Sequence, residues 1–149
     1  MSQGIAMPGA AAGVAAGLAG EFAAARDNGC VGTSLLSEDA RCRVWTIVLE
    51  PGARIGFHTH VLDYFWTAVT AGRARSHYGD GRVAEVDYRA GDIQHLSFGP
   101  GESMTHDLAN IGDTDLIFTT VEFLDSANRP LDLPDAVRAE AAAARTMRA

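Results

Sequence analysis

The chain has no lysine. All twelve of its basic residues are arginine, set against nineteen acidic residues, and the net charge is −7. No arginines gather into a basic block, which argues against nucleic acid as a partner. The missing lysine, with the abundant Ala, Gly and Arg, reads as a codon-level bias rather than a functional one. Cysteine is scarce: Cys30 and Cys42 are the only two. They lack metal-ligand spacing, so both are expected to be reduced, partly buried thiols. No stretch long enough to span a bilayer is free of Gly, Pro or charge. The apolar N-terminal run, MSQGIAMPGAAAGVAAGLAG, has no basic residue ahead of it and is broken by glycines and a proline, so no signal peptide is expected. These absences point to a cytoplasmic protein with no membrane partner. Its 149 residues, 47% hydrophobic and 21% charged, suit one domain with a sizeable core.

What is present is mostly strand pattern. Arg41–Glu50 alternates apolar and polar residues and is rich in β-branched and aromatic side chains. Pro51-Gly52 ends it. Further strands are predicted over 55–60, 63–71, 73–78, 83–88, 93–98, 103–108 and 116–124, with Gly79-Asp80-Gly81 as a hairpin turn. Turn signals recurring about every 8–12 residues predict an all-β sandwich or barrel. Residues 1–15 read as a loose Ala/Gly arm. Residues 16–27 form a short helix with Leu18, Phe22 and Ala25 on one face, stopped by Asn28-Gly29. Residues 131–147 form a terminal helix, with Pro134 and Asp135 in its first turn and Arg145 and Arg148 in its last. The expected layout is an N-terminal arm and helix over 1–30, a β-barrel over 31–126 and a C-terminal helix over 127–149.

Of the five histidines, only His58 and His60 stand one residue apart. On a strand, such a pair points to one face, with Cα atoms roughly 7 Å apart. Two imidazoles so placed can converge on one ion at about 2.1 Å each. They can equally lie on a solvated strand face. His106, far downstream, is the candidate third ligand.

Gly52, five residues, His58-x-His60 and then Gly72 resembles the first motif of the cupins. Gly91-Asp92, Pro100-Gly101, His106 and Asn110-x-Gly112-Asp113 resembles the second, with about four extra residues between Gly91 and His106. Within that superfamily, His-x-His-x-x-Asp-Tyr resembles the small stand-alone type associated with β-alanine degradation. The resemblance implies a double-stranded β-helix, or jelly-roll barrel. It also implies one divalent ion and a homodimer, which the thin apolar faces of the N-terminal arm and the C-terminal helix would help to form. The cupin motif usually carries a glutamate four or five residues after its second histidine. Here those positions are Tyr64 and Phe65. Asp63 is the nearest carboxylate and a possible fourth ligand if the strand is bulged. Spacing to Gly72 favours instead an inward Phe65 and a site of three histidines.

His95, in a predicted strand, and Tyr64 are the catalytic candidates; His95 could serve as a general base, an extra ligand or a structural residue. His77 is expected on the surface, and Glu102 and Asp107 in solvent. Arg54 and Arg75 could bind a substrate carboxylate or form salt bridges. The implied function is a metal-dependent enzyme acting on a small polar organic molecule. A three-histidine site resembles that of thiol and diketone dioxygenases, which favours iron, while nickel, manganese, zinc and copper also suit imidazole. The alternative is a non-catalytic small-molecule-binding or sensing module without essential metal.

Overall fold

The computed structural model describes residues 17–148. The arm expected over residues 1–15 lies outside that range. Among the described residues there are nine strands, and the alternation read from the sequence reappears as alternation of burial. β1 is Ser34–Glu38, β2 Cys42–Leu49, β3 Arg54–His60, β4 Tyr64–Ala68 and β5 Gly72–His77. β6 is Val83–Tyr88, β7 Ile93–Leu96, β8 Met104–Asn110 and β9 Leu116–Phe123. β2 buries Arg43, Trp45, Ile47 and Leu49, while β9 buries Leu116, Phe118, Thr120 and Glu122. The residues between them face outward, as a two-residue period requires.

Two antiparallel sheets result. One has the order β1-β2-β9-β4-β7 and the other β3-β8-β5-β6. Neighbours far apart in sequence, such as β2 with β9 and β3 with β8, make this a jelly roll rather than a meander. Between the sheets lies an apolar cluster of Ile47, Leu49, Ala68, Ala74, Leu108, Leu116 and Phe118.

The motif glycines and asparagine serve this frame. Gly52 turns β2 into β3 at φ +85°, a conformation that side chains with a Cβ resist. A Cβ on Gly72 would meet Leu116 Cδ1 at 2.9 Å. Buried Asn110 donates to Leu49 O and Thr114 O, at 2.8 Å each, and accepts from Gly112 N, which pins the β8–β9 turn to the end of β2.

Residues 17–24 are helical (α1) and continue into a 3₁₀ turn at Ala25–Asp27, ending at Asn28 as the Asn-Gly stop predicts. This segment covers the open edge and outer face of β3. Glu21 Oε2 accepts from Phe57 N, Thr59 N donates to Asn28 O, and Phe22 packs edge-on against Phe57. The terminal helix, α2, runs Asp135–Arg148 and starts four residues later than predicted. Residues 131–134 are not helical: Leu133 is buried with Val31, Leu35 and Trp45, and Leu131 O accepts from Arg43. Part of the apolar stripe of α2 is buried within the chain, where Ala141 and Val137 complete that same cluster, while Ala144 and Met147 are exposed. Cys30 and Cys42 are free and partly buried. Among the described residues, no helix is long and apolar enough to cross a membrane.

Candidate metal centre

β3 and β8 are hydrogen-bonded neighbours, and their register sets His58 directly opposite His106. His60 follows His58 on the same inward face. A one-residue bulge in β3, between Ile55 and His58, re-aims the strand just before the pair. It presents the Gly56 carbonyl to His58, whose Nδ1–H donates to it at 2.9 Å. That bond fixes the tautomer and leaves Nε2 of His58 unprotonated, with its lone pair free for a cation.

Each of the three histidines offers a ring nitrogen, and these nitrogens all lie within 4.8 Å of one another. His58 and His60 are buried and His106 partly so. Burial pushes His58 down to about 4 and His106 to about 3, and holds His60 well below the usual histidine range. All three imidazoles are therefore neutral at pH 7, the form that coordinates a cation. Nε2 of His60 and Nε2 of His106 are 3.2 Å apart. Two nitrogens bound at about 2.1 Å to one octahedral ion would be separated by about 3.0 Å. Nδ1 of His60 and Nδ1 of His106 are buried with no hydrogen-bond partner among the described residues. With His58 Nδ1 satisfied by Gly56 O and its Nε2 free, and with the Nε2 atoms of His60 and His106 close together, the three neutral imidazoles form a donor set that fits one divalent ion.

The cluster opens into a cavity of about 430 Å³, walled by Tyr64, Trp66, Tyr88 and Phe118 and flanked at one side by Tyr78. Tyr64 stacks on His60, with ring centroids 4.1 Å apart and planes 13° apart. Burial raises the Tyr64 hydroxyl above the ordinary tyrosine range, so it stays protonated and can donate.

Several expectations are corrected here. Phe65 does not face inward: it packs outside on His95 and Phe123, while Tyr64, Trp66 and Ala68 take the inner face of β4. Spacing to Gly72 misplaced it because Val69–Ala71 loop between the strands and carry no alternation. Asp63 does not join the histidines either. Its carboxylate accepts from Phe98 N at 2.9 Å and holds the loop between β7 and β8. Asp63→Asn is accordingly expected to keep near-normal metal content by elemental analysis; a loss as deep as that of His60→Ala would make Asp63 a ligand.

His95 is exposed on the outer face of β7, away from the cavity, where Gln94 and Leu96 take the inner positions. Asp107 is not in solvent but fully buried. It accepts from Arg54 Nε at 2.7 Å, from His77 N at 2.6 Å and from the His77 ring. His77 is therefore partly buried rather than free on the surface, whereas Glu102 is exposed as expected. Arg54 is committed to Asp107 and, bidentately, to Glu21 of α1; Arg75 is paired with Glu85. Neither arginine reaches the cavity.

Two residues escaped the sequence reading. Arg82 lines the cavity mouth. Glu122 is buried on the inner face of β9 and accepts from Trp45 Nε1 at 2.7 Å. Burial lifts its carboxyl to about 7. The signal for Glu122 was available, since residues 116, 118, 120 and 122 share one face by alternation, and a carboxylate among them must be buried.

No protein-family model matches the chain, and no curated protein does. Among solved structures, a cupin domain from Bordetella pertussis is similar at 22% identity and TM-score 0.53, over 60% of this chain and 88% of that one. A conserved protein with a double-stranded β-helix domain from Klebsiella pneumoniae is similar at 29% identity and TM-score 0.50, over 64% of this chain and 77% of that one. The chain has the double-stranded β-helix fold of cupin domain proteins, with three converging histidines inside its barrel.

Proposed function

We propose that this chain is a metal-dependent enzyme acting on a small polar organic molecule, with His58, His60 and His106 holding one divalent ion. The observation that carries this is the convergence of three neutral ring nitrogens on one point of an accessible cavity. A bound ion would supply Lewis acidity and open coordination positions, and a redox metal would add oxygen chemistry. Iron is favoured by the resemblance of a three-histidine site to those of thiol and diketone dioxygenases; nickel, zinc and copper also suit imidazole, and manganese stays open. The protein's own part is orientation and water exclusion. Gly56 O sets the His58 ring, Tyr64 lies flat on His60 and offers a hydroxyl proton, and Trp66, Tyr88 and Phe118 form an apolar wall. Metal analysis followed by oxygen uptake with a panel of small acids and thiols tests the reading. A stoichiometric redox metal with substrate-dependent uptake supports it. A second reading, a non-catalytic binding module, is favoured by one observation: Tyr64 takes the inner position near which a cupin carboxylate would coordinate. A metal-free barrel that binds such molecules without turnover would establish that reading instead.

We propose also that the chain is a homodimer joined through the outer face of the five-stranded sheet. That face carries Val44, Val48, Phe65, Ile93, Val121 and Phe123, and among the described residues β2, β4, β7 and β9 place no Asp, Glu or Arg on it. The opposite sheet is laced with Arg73–Asp87 and Arg75–Glu85 pairs. Two copies of a chain of net charge −7 can approach without like-charge contact on the uncharged face. Light scattering should give twice the chain mass at micromolar concentration, falling to the monomer in Val121→Glu; a monomeric wild type contradicts this.

A further inference from the structure

The cavity has one basic side chain at its edge among the described residues, and it is Arg82. It leaves the Gly79–Gly81 turn between β5 and β6, so the hairpin presents Tyr78, Arg82, Val86 and Tyr88 along one side of the mouth. The Arg82 guanidinium carbon lies 4.1 Å from the centre of the Tyr78 ring, a cation–π contact that fixes its direction. Tyr78 in turn lies 5.4 Å, centroid to centroid, from His106. Arg82 is thus one aromatic ring away from the histidine cluster. Its carboxylate neighbour is Asp80, at 3.9 Å, and both side chains are about half or more exposed, at 49% and 68%. Such a contact contributes little and leaves the guanidinium's paired donors available. The contrast with Arg54, Arg73 and Arg75 is direct, because each of those is held by a carboxylate at 3.0 Å or less.

Much of the remaining wall is apolar, with Ser76, Gln94 and Thr120 as its neutral polar members. Trp66, Tyr88 and Phe118 form a mutually edge-on trio with centroids 4.9–5.5 Å apart. Asp92 is the other charged residue of the lining, and its carboxylate accepts from Arg89 N at 2.8 Å within its own turn.

We propose that Arg82 is the specificity-determining residue of this cavity and that the substrates are monocarboxylates with an apolar or aryl body. The carboxylate pairs with Arg82 at the mouth. The body lies on the Trp66–Tyr88–Phe118 wall and brings its far end towards the histidines. The substrate identity rests on the reading of the histidine cavity as the functional site, but the anion selectivity can be tested apart from metal.

The probes are 3-phenylpropionate, its neutral amide and 3-phenylpropylamine. Binding is read by calorimetry and by the fluorescence of Trp66, since Trp45 is buried on Glu122 outside the cavity. Wild type should bind the acid at least about tenfold more tightly than the amide, the range of one charge-assisted hydrogen bond, with the margin shrinking as salt is raised. R82Q should lose that margin while its affinity for the amide is unchanged, and R82K should recover part of it. Acid and amide binding equally to wild type, a margin kept in R82Q, the amine binding best, or no binding of the acid at millimolar concentration would each overturn the proposal. Repeating the titrations in His60→Ala separates the two readings. A margin that survives there and vanishes in R82Q upholds Arg82 even for a metal-free barrel. A margin that vanishes there and survives in R82Q places the anion at the histidines and removes Arg82 from recognition.

Discussion

Glu122→Gln should stabilise the protein in alkaline solution and leave it nearly unchanged in acid. Burial raises the Glu122 carboxyl from 4.5 to about 7. The unfolded chain loses this proton near pH 4.5, whereas the folded chain keeps it to about pH 7. Between those values the folded state binds more protons, so stability falls as pH rises. The stability associated with the protonated carboxyl is complete below pH 4.5 and lost as pH passes about 7. A shift of this size corresponds to about 3 kcal/mol. Glutamine keeps an oxygen for Trp45 Nε1 and cannot ionise. Arg43 retains Glu38 Oε2 at 2.7 Å and Leu131 O, so it is not stranded. The variant should match wild type at pH 4 and gain roughly 5–10 °C in Tm at pH 8.5. Thermal unfolding of both proteins at the two pH values decides it. An equal difference at both would mean that Glu122 is ionised throughout and compensated by Arg43.

The second large effect is on metal. Removing a residue that only orients a metal ligand typically costs 10–100-fold in affinity. Removing one of three ligands should cost more, so His60→Ala is expected to lose at least about 100-fold and to purify nearly metal-free. His58→Ala should behave alike. His77→Ala, which touches Asp107 on the far side of β8, should keep its metal. Equal metal content in all of these variants would place the ion elsewhere.

Much of this was legible in the sequence because the barrel is built of alternating strands. β2 and β9 could be read almost residue for residue, and the glycine-flanked hairpin and the His-x-His face followed from period and turn chemistry. β1 is not legible as a separate strand, because the Leu35–Ser37 bulge breaks the alternation of Ser-Leu-Leu-Ser-Glu. The inner face of β4 is not legible from the spacing to Gly72, because the intervening loop carries no alternation and one residue of slip exchanges Phe65 for Tyr64. Asp107 looked solvent-exposed because the groups that satisfy it, Arg54 and His77, come from other strands. Only the tertiary fold brings those three together. Arg82 was missed for the same reason, since a residue beside a hairpin turn gains a role only when that hairpin borders the cavity.

The most direct test of the account is a crystal structure of metal-replete protein with anomalous scattering at the metal edge. The account predicts one peak per chain inside the barrel, about 2.0–2.3 Å from a ring nitrogen of each of His58, His60 and His106, with no carboxylate oxygen of this chain in contact. No peak within about 2.5 Å of two of these imidazoles, or a peak bound through Asp63, would contradict it.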